Sequence, residues 1–189
     1  MIKQEKDKVR SFYLKLRKQM SSDEVEQHSK SILQHLIGWE PLLESETVHC
    51  FMSIKENREV DTEPIIQWLI KLNKRVVIPK SIKESRTLIH YEFHSQDQLE
   101  VNEWGIPEPT GGEQVVVEEL DLVLVPMVAA DMKKNRLGYG LGFYDRFLSQ
   151  ITALKVGLLF ESCLSKQPIP VNSFDVTLDY LITENGIYK

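Results

Sequence analysis

The chain has 189 residues, 42% hydrophobic and 27% charged, with a formal net charge of −5. This composition supports one globular core and excludes a global basic field that would draw the chain onto nucleic acid, so any phosphate site must be local. No apolar run approaches the ~20 residues of a membrane span, the start is charged where a secretory signal is apolar, and the two cysteines, Cys50 and Cys163, form no C-x-x-C or Cys/His cluster. The expectation is a cytoplasmic monomer with two buried thiols and neither a membrane nor a nucleic-acid partner.

In chain order, Ile2, Val9, Phe12, Tyr13, Leu16 and Met20 recur at helical spacing and predict an amphipathic helix over residues 2–20. Its charges make a locally basic start on an acidic chain. Lys6 and Arg10, four residues apart, share one face, either solvated or turned toward a ligand. Ser21 and Glu24 form a capping box for a second helix, which Gly38 ends. Thr47–Met52 is the first strand candidate, followed by a polar loop over 53–60. Asp61 is expected to cap a third helix with Pro64 in its first turn. Residues 75–79 and 88–93 are further strands, and 95–114, with Pro107, Pro109, Gly111 and Gly112, reads mostly as loop. Leu120–Val125 is the most apolar strand. A helix-like run over 144–151, a buried strand over 155–160 and a short strand over 180–183 complete the chain. The alternation predicts an α/β fold: a single-domain open, mostly parallel sheet with helices on both faces, a Rossmann-like three-layer α/β/α arrangement. Ligands in such sheets sit beyond the carboxyl ends of the strands.

The stretch between the strongest strand and the following helix concentrates chemistry: Asn135-Arg-Leu-Gly138-Tyr-Gly140-Leu-Gly142-Phe-Tyr-Asp145-Arg146. Its glycines fall at every second position, so it is neither the G-x-G-x-x-G of a dinucleotide site nor a Walker A loop, which needs G-K-[ST]. A plain turn needs no two arginines, aspartate and three aromatic rings around its glycines. Backbone N–H groups at Gly138, Gly140 and Gly142 can line a phosphate, Arg136 offers a planar fork, and Asp145 is either a helix-opening acid or a Mg²⁺ ligand. Arg146 is equally a surface residue. Elsewhere, Glu59 can accept from the N–H donors of a heterocycle. His90, Glu92 and His94 alternate on what is expected to be a solvated strand face, without a third metal partner. Asp175 and Asp179 are both available near the C-terminus as a second carboxylate, and residue type does not choose between them.

Residues 136–146 resemble the R-L-G-x-G-x-G-[YF]-Y-D signature of the 5-formyltetrahydrofolate cyclo-ligases, also called 5,10-methenyltetrahydrofolate synthetases. The likeness extends in order through Lys6-x-x-Val-Arg10, Glu59-Val-Asp-Thr62, Gly105-Ile-x-Glu-Pro109, Asp121–Pro126 with Asp131, and Phe174-Asp175 with Leu181-Ile-Thr183. The resemblance implies one domain over residues 1–189 that uses MgATP to convert 5-formyltetrahydrofolate to 5,10-methenyltetrahydrofolate, ADP and phosphate through an N5-iminium phosphate. It implies Lys6, Arg10, Arg136, Gly138, Gly140, Gly142 and Tyr144 at ATP, with Arg136, Tyr139 and Tyr144 at the reacting groups. It implies Met52, Glu59, Tyr139, Gly140, Leu141, Gly142 and Phe143 at the folate, and Asp145 with Asp175 at Mg²⁺, which now favours Asp175 over Asp179. Leu141 stands where Gly or Lys is common, Ala130 where an aromatic is usual, and Met127 where glycine is usual. Two rivals are weighed against this reading: a non-catalytic relative that sequesters the folate, and another phosphate-handling α/β enzyme such as a sugar-phosphate isomerase or CoA-transferase relative. Neither needs the MgATP set of Arg136, Asp145 and Asp175.

Overall fold

The computed structural model describes residues 2–189. The helices are α1 (Ile2–Lys18), α2 (Ser22–Leu36), α3 (Glu40–Glu44), α4 (Glu63–Lys71) and α5 (Phe143–Leu148). The strands are β1 (Thr47–His49), β2 (Arg75–Ile82), β3 (Thr87–Glu92), β4 (Leu99–Val101), β5 (Pro107–Pro109) and β6 (Leu122–Val125). They continue as β7 (Ala129–Asp131), β8 (Arg136–Leu137), β9 (Leu154–Leu158), β10 (Leu164–Ser165), β11 (Tyr180–Thr183) and β12 (Gly186–Tyr188). The main sheet has seven strands in the order β12-β11-β9-β6-β1-β2-β3. Its interior pairings are parallel, and β3 and β12 close the two edges antiparallel. An antiparallel edge on a parallel sheet needs only a short turn, whereas another parallel strand needs a crossover.

The two faces follow from the period of a strand. Along β6, Leu122 and Leu124 enter one core, with Ile32 and Leu36 of α2, Leu42 of α3, and Ile65, Ile66 and Leu69 of α4. Val123 and Val125 enter the other, with Phe147 and Leu148 of α5. A strand buried on both faces has no polar side to show, which is why this run reads as continuously apolar. The capping box on α2 is formed: Ser21 Oγ accepts from Glu24 N at 3.2 Å, and Glu24 Oε2 accepts from Ser21 N at 2.7 Å. Both cysteines are buried, and burial raises both thiols.

Several expectations are corrected. The first strand stops at His49; Cys50 N makes its closing ladder bond to Val77 O, at 2.9 Å, and the chain then leaves the sheet. Thr62, not Asp61, is the N-cap of α4; it makes no side-chain cap bond, while Asp61 Oδ1 accepts from Glu63 N at 3.1 Å. The glycine loop does not follow β6 directly. The β7–β8 hairpin intervenes and forms a separate three-stranded sheet with β10. Asp131 builds its turn: Oδ1 accepts from Lys133 N (2.9 Å) and Asn135 N (3.0 Å), and Oδ2 from Asn135 Nδ2 (3.0 Å) and Ile169 N (2.9 Å). Segment 95–114 contains the β4–β5 hairpin, paired Leu99 to Pro109.

His90 is not on a solvated face; it is buried, while Glu92 pairs with Arg75 and only His94 is exposed. His90 lies against the fully buried His49, ring centroids 5.1 Å apart, and both pack on Phe147. Neither nitrogen of His49 has a hydrogen-bond partner among the described residues. Burial, and for His49 also the charge of His90, pushes both imidazoles down, His90 to about 4. In the unfolded chain each takes a proton near pH ~6.5. Between about pH 6.5 and 4 the unfolded state therefore binds more protons than the folded one, and stability must fall with pH. Urea unfolding should show the free energy dropping by roughly 1 kcal/mol or more per unit between about pH 6 and 5. His90→Leu should flatten that slope by about half; an unchanged slope would mean that these rings do not set it.

Candidate functional site

Three chain segments leave the carboxyl edge of the sheet and are bridged by α1. A cavity of about 700 Å³ opens between them. Lys6 and Arg10 of α1 line it, as do Met52 and Glu59 from the loop after β1, every residue from Arg136 to Asp145, and Asp175 from the segment before β11. All the residues proposed for the site from the sequence thus border one space, although they span the chain from residue 6 to residue 175.

Part of the cavity wall carries Lys6, Arg10 and Arg136. Arg136, at the start of the glycine loop, is 6% exposed. Its Nη2 donates to Asp145 Oδ1 at 2.6 Å, and its guanidinium lies 5.6 Å from the centre of the Tyr144 ring. Arg136 Nε and the Tyr144 hydroxyl are buried without a hydrogen-bond partner among the described residues. Two held donors without acceptors are what a ligand oxygen would complete. Burial raises the Tyr144 phenol well above its usual range, so it stays a neutral donor rather than a base. Arg10 Nε donates to Gly138 O at 2.8 Å, while Lys6 pairs with Asp175. Asp175 Oδ2 also accepts from Asn172 N at 2.6 Å.

The glycine loop can take this course because of two residues. Gly140 and Gly142 have φ of +100° and +76°, where a side chain is strained. A Cβ on Gly140 would also stand 3.2 Å from the Arg10 guanidinium carbon, so the loop and α1 approach as closely as backbone allows. Helix α5 has only six residues, and its macrodipole is correspondingly a minor source of field beside Lys6, Arg10 and Arg136. Arg146 is exposed and turns back to the carbonyls of Leu141 (3.2 Å) and Gly142 (2.9 Å), a loop-closing role.

The lining also includes apolar and aromatic side chains and the buried Glu59 carboxylate. Trp104 and Phe143 meet edge to face, centroids 6.0 Å apart, beside Leu88, Ile106 and Pro107. Glu59 is 5% exposed; its Oε2 accepts from Ile54 N at 2.7 Å, and its Oε1 accepts from the Tyr139 hydroxyl. Burial raises the Glu59 carboxyl, against the opposing pull of Arg17, Tyr139 and the Ile54 N–H. Tyr139 is raised in turn, first by burial and then by the Glu59 charge.

The structure adds residues to which the sequence gives no role. Glu108 is buried at the cavity, its Oε1 accepting from Ser81 N at 2.9 Å. Arg17 is buried behind Glu59; its place seven residues after Arg10 on the same helix face was the available signal. Asp179, the other C-terminal acid, binds Lys155 N at 2.8 Å and flanks the sheet.

Asp145 and Asp175 can be tested as metal ligands by their remaining donors. Each keeps one oxygen, Asp145 Oδ2 and Asp175 Oδ1, without a hydrogen bond among the described residues. No group of three or more His, Cys, Asp or Glu side chains that could hold a metal occurs among those residues. Both carboxylates border the cavity with an oxygen to spare, and Mg²⁺ is typically held by one or two carboxylates together with substrate phosphates.

A three-layer α/β/α sheet with a cation-lined glycine loop at its carboxyl edge defines the class: an α/β protein whose one large cavity is bordered by cations, carboxylates and aromatic rings. The chain belongs to the 5-formyltetrahydrofolate cyclo-ligase family, whose profile matches residues 2–184. It is 31% identical over 197 aligned positions to the probable 5-formyltetrahydrofolate cyclo-ligase of Caenorhabditis elegans, covering 97% of this chain and 94% of the relative. The Escherichia coli K12 5-formyltetrahydrofolate cyclo-ligase is 28% identical, with 92% and 97% covered. The NMR structure of the Aquifex aeolicus 5,10-methenyltetrahydrofolate synthetase superposes with a TM-score of 0.85 at 32% identity, covering 97% of this chain and 92% of that one.

Proposed function

We propose that this chain, as one domain, catalyses the ATP-dependent closure of 5-formyltetrahydrofolate to 5,10-methenyltetrahydrofolate. The observation that carries the reading is the single cavity bordered by Lys6, Arg10, Arg136, Asp145 and Asp175 together with Glu59, Trp104 and Phe143. A cytoplasmic monomer remains the simplest working form; no described helix is long and apolar enough to cross a membrane.

The formyl group is an amide and a poor electrophile. Its oxygen attacks the γ-phosphorus of ATP and ADP leaves, giving an N5-iminium phosphate. N10 then adds to that carbon and gives up its proton, the carbon–oxygen bond breaks and phosphate departs. Phosphoryl transfer asks mainly for positioning and charge neutralisation, so no protein nucleophile is required. Lys6, Arg10 and Arg136 bind the phosphate oxygens, Arg136 as a planar fork fixed by Asp145 and the Tyr144 ring. The Tyr144 hydroxyl adds a neutral donor, and Tyr139 orders the loop against the ring site. Gly138, Gly140 and Gly142 let the loop backbone approach the triphosphate. Asp145 and Asp175 would hold Mg²⁺, which when bound spreads the negative charge of the phosphates. Glu59 accepts from the N–H donors of the pterin, with Met52, Leu141 and Phe143 covering its faces.

The test is to mix the protein with MgATP and 5-formyltetrahydrofolate and follow methenyltetrahydrofolate absorbance and ADP together. One ADP per methenyl product is expected, and turnover should stop on chelation of Mg²⁺. Folded protein that binds the folate yet makes neither product would mark a sequestering relative instead. Replacing Glu59 by Gln should raise KM for 5-formyltetrahydrofolate by roughly tenfold or more, the loss of a charge-assisted hydrogen bond. KM for ATP should stay within about twofold; an equal rise in both would refute this placement of Glu59.

A further inference from the structure

Lys6, Arg10 and Arg17 lie four and seven residues apart, so they form one stripe along α1. Arg17 is about 10 Å further along the helix than Arg10, by the 1.5 Å rise per residue. It is 3% exposed, and every arm of its guanidinium is engaged. Its Nε donates to Asn57 O at 2.7 Å and its Nη1 to Met127 O at 2.9 Å. Its Nη2 donates to the Tyr139 hydroxyl at 2.5 Å and lies 3.9 Å from Glu59 Oε1. Asn57 and Glu59 belong to the loop after β1, Met127 to the exit of β6, and Tyr139 to the glycine loop. One side chain therefore ties α1 to three segments around Glu59 and Tyr139.

We propose that Arg17 is a positioning residue, which holds the Glu59 carboxylate and the Tyr139 hydroxyl in their binding geometry. The inference rests on the reading of Glu59 as the ring-binding acid. It gives α1 two tasks: Lys6 and Arg10 face the phosphates, and Arg17 assembles the ring site from behind without touching substrate. The physical need is clear at Glu59. A buried carboxylate with no cation beside it takes up a proton, and a protonated Glu59 is a poorer acceptor for pterin N–H groups. The groups facing it are Arg17 from α1, Tyr139 from the glycine loop and the Ile54 N–H. Tyr144 of α5 is a neutral neighbour of Glu59 raised by burial, and Cys163, after β9, is one of Arg17. Arg17 is the cation within this set, and the two carbonyls it holds keep it in place whether or not substrate is bound.

The experiment compares Arg17→Met, Arg17→Lys and Glu59→Gln, each checked by thermal melting. KM is measured for both substrates, and kcat/KM for 5-formyltetrahydrofolate against pH. Arg17→Met should raise the folate KM about tenfold and leave that of ATP within about twofold. Removing the cation disfavours the charged carboxylate, so the acid limb of kcat/KM should move to higher pH by about one unit. Arg17→Lys, which keeps a charge but not the fork, should leave the limb near its wild-type position and raise the folate KM by less. A folded Arg17→Met protein with an unmoved limb, or with both KM values raised alike, overturns the proposal. If Arg17→Met does not fold, Arg17→Lys decides: a selective rise in folate KM supports the proposal, and no rise or an equal rise overturns it. An unchanged folate KM in Glu59→Gln overturns the assignment of Glu59 and this inference with it. A raised KM there with silent Arg17 variants sinks only the inference.

Discussion

Arg136→Ala should lower kcat by on the order of a thousandfold while the protein remains folded, because Arg136 supplies fixed donors where charge is redistributed. Its guanidinium is held on one side by Asp145 and on another by the Tyr144 ring, and Nε is left without a partner in the wall of the cavity. The truncation removes those donors and nothing from either core cluster. Asp145, freed of its partner, has a partly exposed side chain and can be solvated, so the cost in stability should be small beside the kinetic loss. Arg136→Lys should recover only part of the rate, since an ammonium is a point charge without the fork. Single-turnover kinetics and a thermal melt separate the alternatives. A protein that unfolds yet keeps normal activity per folded molecule would make Arg136 structural.

The second large effect concerns the floor of the sheet. Gly157 lies in β9 between Val125 of β6 and Leu181 of β11. A Cβ there would stand 2.3 Å from Met127 Cε, 2.7 Å from Leu178 Cδ1 and 2.8 Å from Leu181 Cδ2. All three neighbours are buried, so none can swing into solvent. Gly157→Ala should therefore cost about 1–3 kcal/mol in urea unfolding, and Gly157→Val should yield little folded protein. The strongest clash is with Met127. Shortening it should relieve the strain: Gly157→Ala with Met127→Ala should be less destabilised than the sum of the single changes. Strict additivity would mean that the two side chains do not compete for the space. The same Met127 presents its carbonyl to Arg17, so a shift there would also disturb the contacts of Arg17 with Tyr139 and Glu59.

Much of this was legible along the chain. The capping box at Ser21 and Glu24 and the doubly buried strand ending at Val125 are local patterns and form where expected, while the glycine loop, legible as chemistry, is separated from that strand by the β7–β8 hairpin. Boundaries were less legible where a neighbour intervened. The first strand was read through Met52 because 47–52 is β-prone throughout, yet the chain leaves the sheet after His49. Asp61 carries the right side chain for a cap, but the helix begins one residue later. His90 looked solvated because polar residues alternate there; α5 packs over it, and only the fold determines which elements stack.

The sequence by itself determined the sheet, its two apolar faces and the concentration of arginine, glycine, aspartate and aromatic rings at residues 136–146, because side-chain period and residue chemistry are local properties. The tertiary structure alone decided what meets that stretch. Lys6 pairing with Asp175, Tyr139 donating to Glu59, and Arg17 reaching carbonyls forty and more residues away are contacts between distant segments. No spacing encodes them. They arise because parallel strands bring their carboxyl ends to one edge and α1 then lies across it.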